Sequence, residues 1–242
     1  MQMAILAAQS DIPGNTARDG FTRVARRLGL LAAVATIVLV VAYAATLTNG
    51  FWSLESADQP IREPMFSILE LLIIVLMPVL IVLMVAVHAW AHTQAKALSL
   101  AAVVFMALAS GVTCGVHFAI LALSRQPVFA RQAWLPLVFG FRWPSVVYAL
   151  DILSWDFFFP LSMFFAAPAF TGSRLAAAIR LTMMGSGALS LFGLVGAARG
   201  DMGLRNVGIV GYVGVFLVVA VLLAVLFYRE IPPQTLPGPG ER

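Results

Sequence analysis

Long apolar runs separated by short polar connections set the rhythm of this chain. A bilayer core roughly 30 Å thick takes about 20 helical residues. Six runs meet that length: 29–48, 65–88, 97–123, 145–168, 176–198 and 206–228. Each carries few or no charges, and most are rich in Leu, Val, Ala and Phe. The pattern predicts an all-α polytopic membrane protein, a bundle of six transmembrane helices occupying 29–228. The flanks read differently. Phe21, Val24, Ala25 and Leu28 recur at i, i+3, i+4 and i+7, with Arg23, Arg26 and Arg27 on the other face. That spacing predicts a short amphipathic interfacial helix in a cytoplasmic N-terminal segment, 1–28. Residues 1–8 are apolar but too short for a signal-peptide core, and the basic cluster follows them, so the first long run reads as a span that also targets the chain. Residues 229–242, with Pro232, Pro233, Pro237 and Pro239, read as a disordered cytoplasmic tail.

Composition narrows the class. Apolar residues make up 61% of the 242 and charged residues 11%, with mean hydropathy +0.96. A soluble domain carries roughly 25% charge, so a soluble globular protein, a disordered chain and a nucleic-acid-binding module are excluded. The net charge of +4 comes from dispersed Arg and Lys, not from a dense run, as expected of helix flanks. A single cysteine, Cys114, excludes an intramolecular disulfide and CxxC redox chemistry. His88 and His92, four apart, face the same way but lack an evident third ligand and read as an interfacial pair beside Trp90. No metal and no cofactor is expected. Lys96, the only lysine, lies at a span boundary, which argues against a retinal-type Schiff base. HExxH, Walker and Rossmann patterns are absent.

Charge placement orients the spans. Nine Lys and Arg fall on the side of the termini and six on the other, which places both termini in the cytoplasm of a cell-membrane protein. Two outer connections are long. Residues 49–64 carry Glu55, Asp58 and Glu63. Residues 124–144 interleave Arg125, Arg131 and Arg142 with Phe129, Trp134, Phe139, Phe141 and Trp143. The second is either an interfacial aromatic belt or a lid or re-entrant segment over a cavity, its arginines facing the acidic first loop. Small residues predict close helix packing at Gly111 with Gly115, Ser186 with Ser190, Gly193 with Ala197, and Gly208, Gly211 and Gly214.

Ionisable residues inside spans are costly, about 2.5–3.5 kcal/mol for an acid at the centre, so their positions carry information. At about 1.5 Å of rise per residue, Asp156 lies near the middle of the fourth span and Asp151 about 7.5 Å further out. Glu70 of the second span and His117 of the third fall roughly 10 Å outside the centre. Three ionisable groups on three helices thus share one depth. Ser110, Thr113, Cys114 and His117 form one stripe; Tyr148, Asp151, Trp155 and Ser162 form another. On an α-helix Asp156 points about 140° from Asp151, which calls for a separate partner, with Arg180 a candidate. Pro160 is expected to kink the fourth span, and Pro78 to free the carbonyl of Ile74 in the second.

The candidate ligand-binding set is Glu70, Thr113, His117, Tyr148, Asp151, Trp155 and Asp156, lining an outer-half cavity under the 124–144 loop. The leading expectation is a transporter-like or receptor-like protein that binds a small or lipophilic molecule there. Two others stand beside it. One is a membrane-embedded enzyme doing acid–base chemistry on a lipid-soluble substrate. The other is a structural or accessory subunit in which a partner covers Asp156. The expected partners are the lipid bilayer, a small lipophilic ligand and a membrane-protein partner or second copy, with no nucleic acid.

Overall fold

A computed structural model describes residues 21–54, 61–129 and 131–230. The expectations for 1–20, for Glu55 and Asp58, and for the tail beyond Glu230 lie outside the described residues. Seven helices are used below: α1 Arg23–Trp52, α2 Met65–Trp90, α3 Thr93–Leu123, the short α4 Leu135–Phe139, α5 Val146–Ala169, α6 Arg174–Arg199 and α7 Met202–Arg229. All but α4 are long and apolar enough to cross a membrane. The protein is an all-α six-helix bundle of the multi-pass membrane type. Each span packs on the next in sequence and α7 returns to α1, closing a ring. Its interior holds Met77, Leu80, Met106, Phe159, Met183 and Phe216, all essentially buried. The outward faces carry Leu31, Leu71, Val104, Phe118 and Leu181, exposed to a degree that suits lipid.

The ends are set by local chemistry. Thr22, Ser145, Ser173 and Asp201 each accept a hydrogen bond from the backbone N–H three residues on, at 3.0–3.2 Å, and so start α1, α5, α6 and α7. Lys96 Nζ donates to the carbonyls of His88 and Ala89 at 2.7 and 3.1 Å, closing the C-terminus of α2. Arg26 reaches the carbonyls of Phe227 and Tyr228 at 2.8 and 2.7 Å, tying the start of α1 to the end of α7. This gives the arginine-rich stretch a different form from the one expected. It is the first turns of α1, with no break before the span, because Arg26 and the buried Phe21 anchor it on α7 through Phe227.

Packing by small residues is uneven. A Cβ on Gly211 would stand 2.7 Å from the Ser186 carbonyl and from Ser190 N and Oγ. The α6–α7 contact therefore requires glycine there. Gly111 and Gly115, expected to draw helices together, have nothing within 4 Å of an added Cβ. They lie on the outer face of α3 because that helix turns its Thr113–His117 stripe inward. Replacing both with Ala is expected to leave the fold intact and to stabilise it slightly, by up to about 1 kcal/mol per site through helix propensity. Thermal unfolding in detergent checks this; a clear loss of stability would show that the glycines are packed.

Candidate functional site

Two departures from regular helix shape the interior. Pro160 cannot donate to the carbonyl of Asp156, and just ahead of it α5 winds as a π-helix over Leu153–Phe158. A second π-turn, Val210–Val215, interrupts α7. Trp155 and Tyr212 come from these two turns and pack ring to ring at a tilt of 35°, 5.0 Å between centroids. In α2, Pro78 leaves the carbonyl of Ile74 without its helical donor, and Cys114 Sγ–H fills the place at 3.7 Å.

Around these turns five ionisable side chains form a continuous chain. His117 Nδ1 and Glu70 Oε2 are 2.7 Å apart. His117 Nε2 lies 3.5 Å from Asp151 Oδ1. Asp151 Oδ2 is 3.7 Å from Arg205 Nη2, and Arg205 Nε donates to Asp156 Oδ2 at 3.0 Å. The order is Glu70, His117, Asp151, Arg205, Asp156, drawn from α2, α3, α5 and α7, and every member is at most 5% exposed. Arg205 Nη1 also faces Tyr148 Oη at 3.5 Å. Its guanidinium lies 5.3 Å from the Tyr148 ring centroid and 5.8 Å from that of Tyr212, within cation–π range.

The sequence-level site is thus partly assembled and partly rearranged. Glu70, His117 and Asp151 do meet. Asp156 is paired with Arg205, and Arg180 is exposed. The angle of about 140° holds for an α-helix; the π-turn winds less per residue, and both aspartates reach the same guanidinium. Arg205, which the apolar runs leave in an outer connection as one of the six outer-side charges, lies inside the bundle because Asp201 starts α7 four residues earlier than the run 206–228 suggested. The readable signal was the pair Gly200-Asp201. Gly200 takes φ +69° at the end of α6, and Asp201 caps α7 immediately after it. Thr113 does not join the chain: its Oγ1 and Ser154 Oγ are 2.6 Å apart, and Ser154 donates on to the Ala109 carbonyl at 2.8 Å, a tie between α3 and α5. His88 Nδ1 is bonded to Ser99 Oγ at 2.8 Å.

The rest of the surroundings is close. Asp156 Oδ1 sits against Gly193 of α6, where a Cβ would be 2.8 Å away, and against Gly208 of α7. Four buried polar atoms of the chain make no hydrogen bond: His117 Nε2, Asp151 Oδ1, Asp156 Oδ1 and Arg205 Nη2. On the loop side, Arg125 pairs with Glu63, donates to Ser67 Oγ at 3.0 Å and lies 5.1 Å from the Phe66 ring centroid, joining the two long connections. Phe141 meets His117 at a tilt of 47° and Tyr148 edge to face at 78°, with 5.5 and 5.2 Å between centroids. An apolar groove of about 290 Å³ lies elsewhere, between α1 and α2, lined by Leu28, Leu31, Ala32, Ala35, Pro78, Val79 and Val82.

No family model, no curated protein and no solved structure matches the chain.

Proposed function

We propose that the buried chain holds an exchangeable proton, and that the protein couples this proton to the binding of a small molecule, in the manner of a transporter or receptor. The observation that carries the reading is the composition of the chain. Three carboxyl groups face one guanidinium and one imidazole, all at most 5% exposed. Even with His117 protonated the set is one positive charge short of neutral. An uncompensated charge is expensive in a low-dielectric interior, so a bound proton or other cation stabilises the set. The unbonded Asp151 Oδ1 and Asp156 Oδ1 are acceptors on which it could reside. The Lys and Arg distribution supports placing both termini in the cytoplasm, with Glu70, His117 and Asp151 nearer the outer face.

A structural reading also draws support from particular contacts. Asp156 is met by Arg205 of the same chain, and Thr113 with Ser154 ties α3 to α5, as groups that only hold helices together would do. The two readings differ in titration. Infrared difference spectra of reconstituted protein, taken between about pH 5 and about pH 8, report protonated carboxyl groups through their C=O stretch. The proton-handling reading expects a buried carboxyl band that changes across this window and is altered when the set loses one carboxyl group in Asp151→Asn. Solutes that bind should raise the unfolding temperature of the wild type and lose most of that effect in the variant. A spectrum without a titrating buried carboxyl would overturn the proposal and leave the structural reading.

A further inference from the structure

Phe141 stands apart from the hydrogen-bond and ion-pair partners within the ionisable chain. The chain's partners come from spanning helices, whereas Phe141 comes from the connection between α4 and α5 and is 40% exposed. Behind its ring is His117, 2% exposed, whose Nε2 faces Asp151 Oδ1. Both of these atoms lack hydrogen bonds.

The local backbone suits a moving part. Phe139 packs in a small cluster with Val116, Ile120 and Val147, which anchors one end. Ser145 caps α5 and anchors the other. Between them the N–H of Gly140 bonds to the Pro136 carbonyl at 3.1 Å and that of Arg142 to the Gly140 carbonyl at 2.7 Å. One bond reaches back to the short α4 and the other lies inside the connection, so the Phe141 ring can turn away without breaking a bond to a span. A Cβ on Gly140 would collide with the Pro136 backbone, so the bend that aims Phe141 inward depends on glycine.

We propose that Phe141 is a gate. Its ring closes the buried chain to the end of the bundle that carries the long connections, and its displacement admits a small cation to His117 and Asp151. The charge class follows from the surplus of carboxyl groups, which favours a positive species and disfavours an anion. The inference rests on the proton-handling reading for what happens beyond the gate, but access through the gate is measurable by itself.

The test uses thiol labelling of the full chain in vesicles of known orientation. Cys114, the only native cysteine, is replaced by Ser, and Tyr148→Cys supplies a reporter at a position whose side chain meets the Phe141 ring. Two impermeant methanethiosulfonates serve as probes, one trimethylammonium and one sulfonate. In that background Phe141→Ala should speed trimethylammonium labelling by about tenfold or more as the open fraction rises. Labelling should come only from the long-connection side, with the sulfonate reagent slower. Phe141→Trp, which keeps the position filled, should label no faster than the parent, and Phe141→Leu serves if the Ala variant does not fold. Unchanged rates in the Ala or Leu variant, or labelling from the opposite side, would overturn the gate. Equal rates for the two reagents would overturn the cation assignment. Infrared titration reads protonation and labelling reads access, so failure of one is distinguishable from failure of the other.

Discussion

Arg205→Met is expected to destabilise the bundle by about 3–5 kcal/mol, the cost of removing one member of a buried ion pair. Arg205 is 3% exposed and faces Asp151 at 3.7 Å and Asp156 at 3.0 Å. Asp156 is fully buried, so once the guanidinium is gone it keeps neither a cation nor water against its charge. Methionine keeps the length and apolar stem of the side chain, so the loss reports the head group more than the packing. Adding Asp156→Asn should restore part of the stability, since the double variant no longer buries that unpaired carboxyl group. Arg205→Lys should fall between, because an ammonium retains the charge but not the fork that serves two aspartates and two aromatic rings. Thermal unfolding in detergent measures all three. Wild-type stability in Arg205→Met would mean that the guanidinium is not what holds Asp156, and the chain as described would be wrong.

Gly211→Leu is the second large effect. The glycine belongs to the π-turn of α7 and faces α6, where an added Cβ would meet Ser186 O, Ser190 N and Ser190 Oγ at 2.7 Å. Two of those atoms are backbone and cannot swing aside. Ser186 Oγ also donates to the Gly211 carbonyl at 2.9 Å, a bond that forcing the helices apart would break. Overpacking usually costs about 1–3 kcal/mol, and the lost hydrogen bond adds about 1 kcal/mol. The same unfolding measurement applies, with Gly214→Leu as the control, since an added Cβ at Gly214 meets only Val210 Cγ1 at 3.9 Å. Equal losses at the two sites would show that the close approach of α6 and α7 is not the cause.

Apolar run length placed all six spans, with ends within a few residues for most, because lipid demands continuous apolar helix and leaves little room for alternatives. Helical rise brought Glu70, His117 and Asp151 to one level, since depth along a straight helix is a count of residues. The rest depended on features a run of hydropathy does not express. Arg205 follows a stretch of glycines and polar residues that reads as a connection, and only the cap at Asp201 draws it into α7. The π-turn at Leu153–Phe158 changes the winding on which the facing of Asp156 was reckoned. Gly111 and Gly115 have the spacing of a packing motif, but spacing does not say which face of α3 turns inward.

The tight corner at Gly200-Asp201, which delivers Arg205 into the bundle, also bears on how the protein is made. Chains emerge from the ribosome N-terminus first. Glu70, Asp151 and Asp156 are therefore all synthesised before Arg205. Until the sixth span arrives, His117 is the sole group in the chain that can offset three acids, and a nascent protein halted after α6 holds its acidic interior without the guanidinium. Because the corner is so short, α6 and α7 are joined as a helical hairpin, and its second arm supplies the last member of the ionic core.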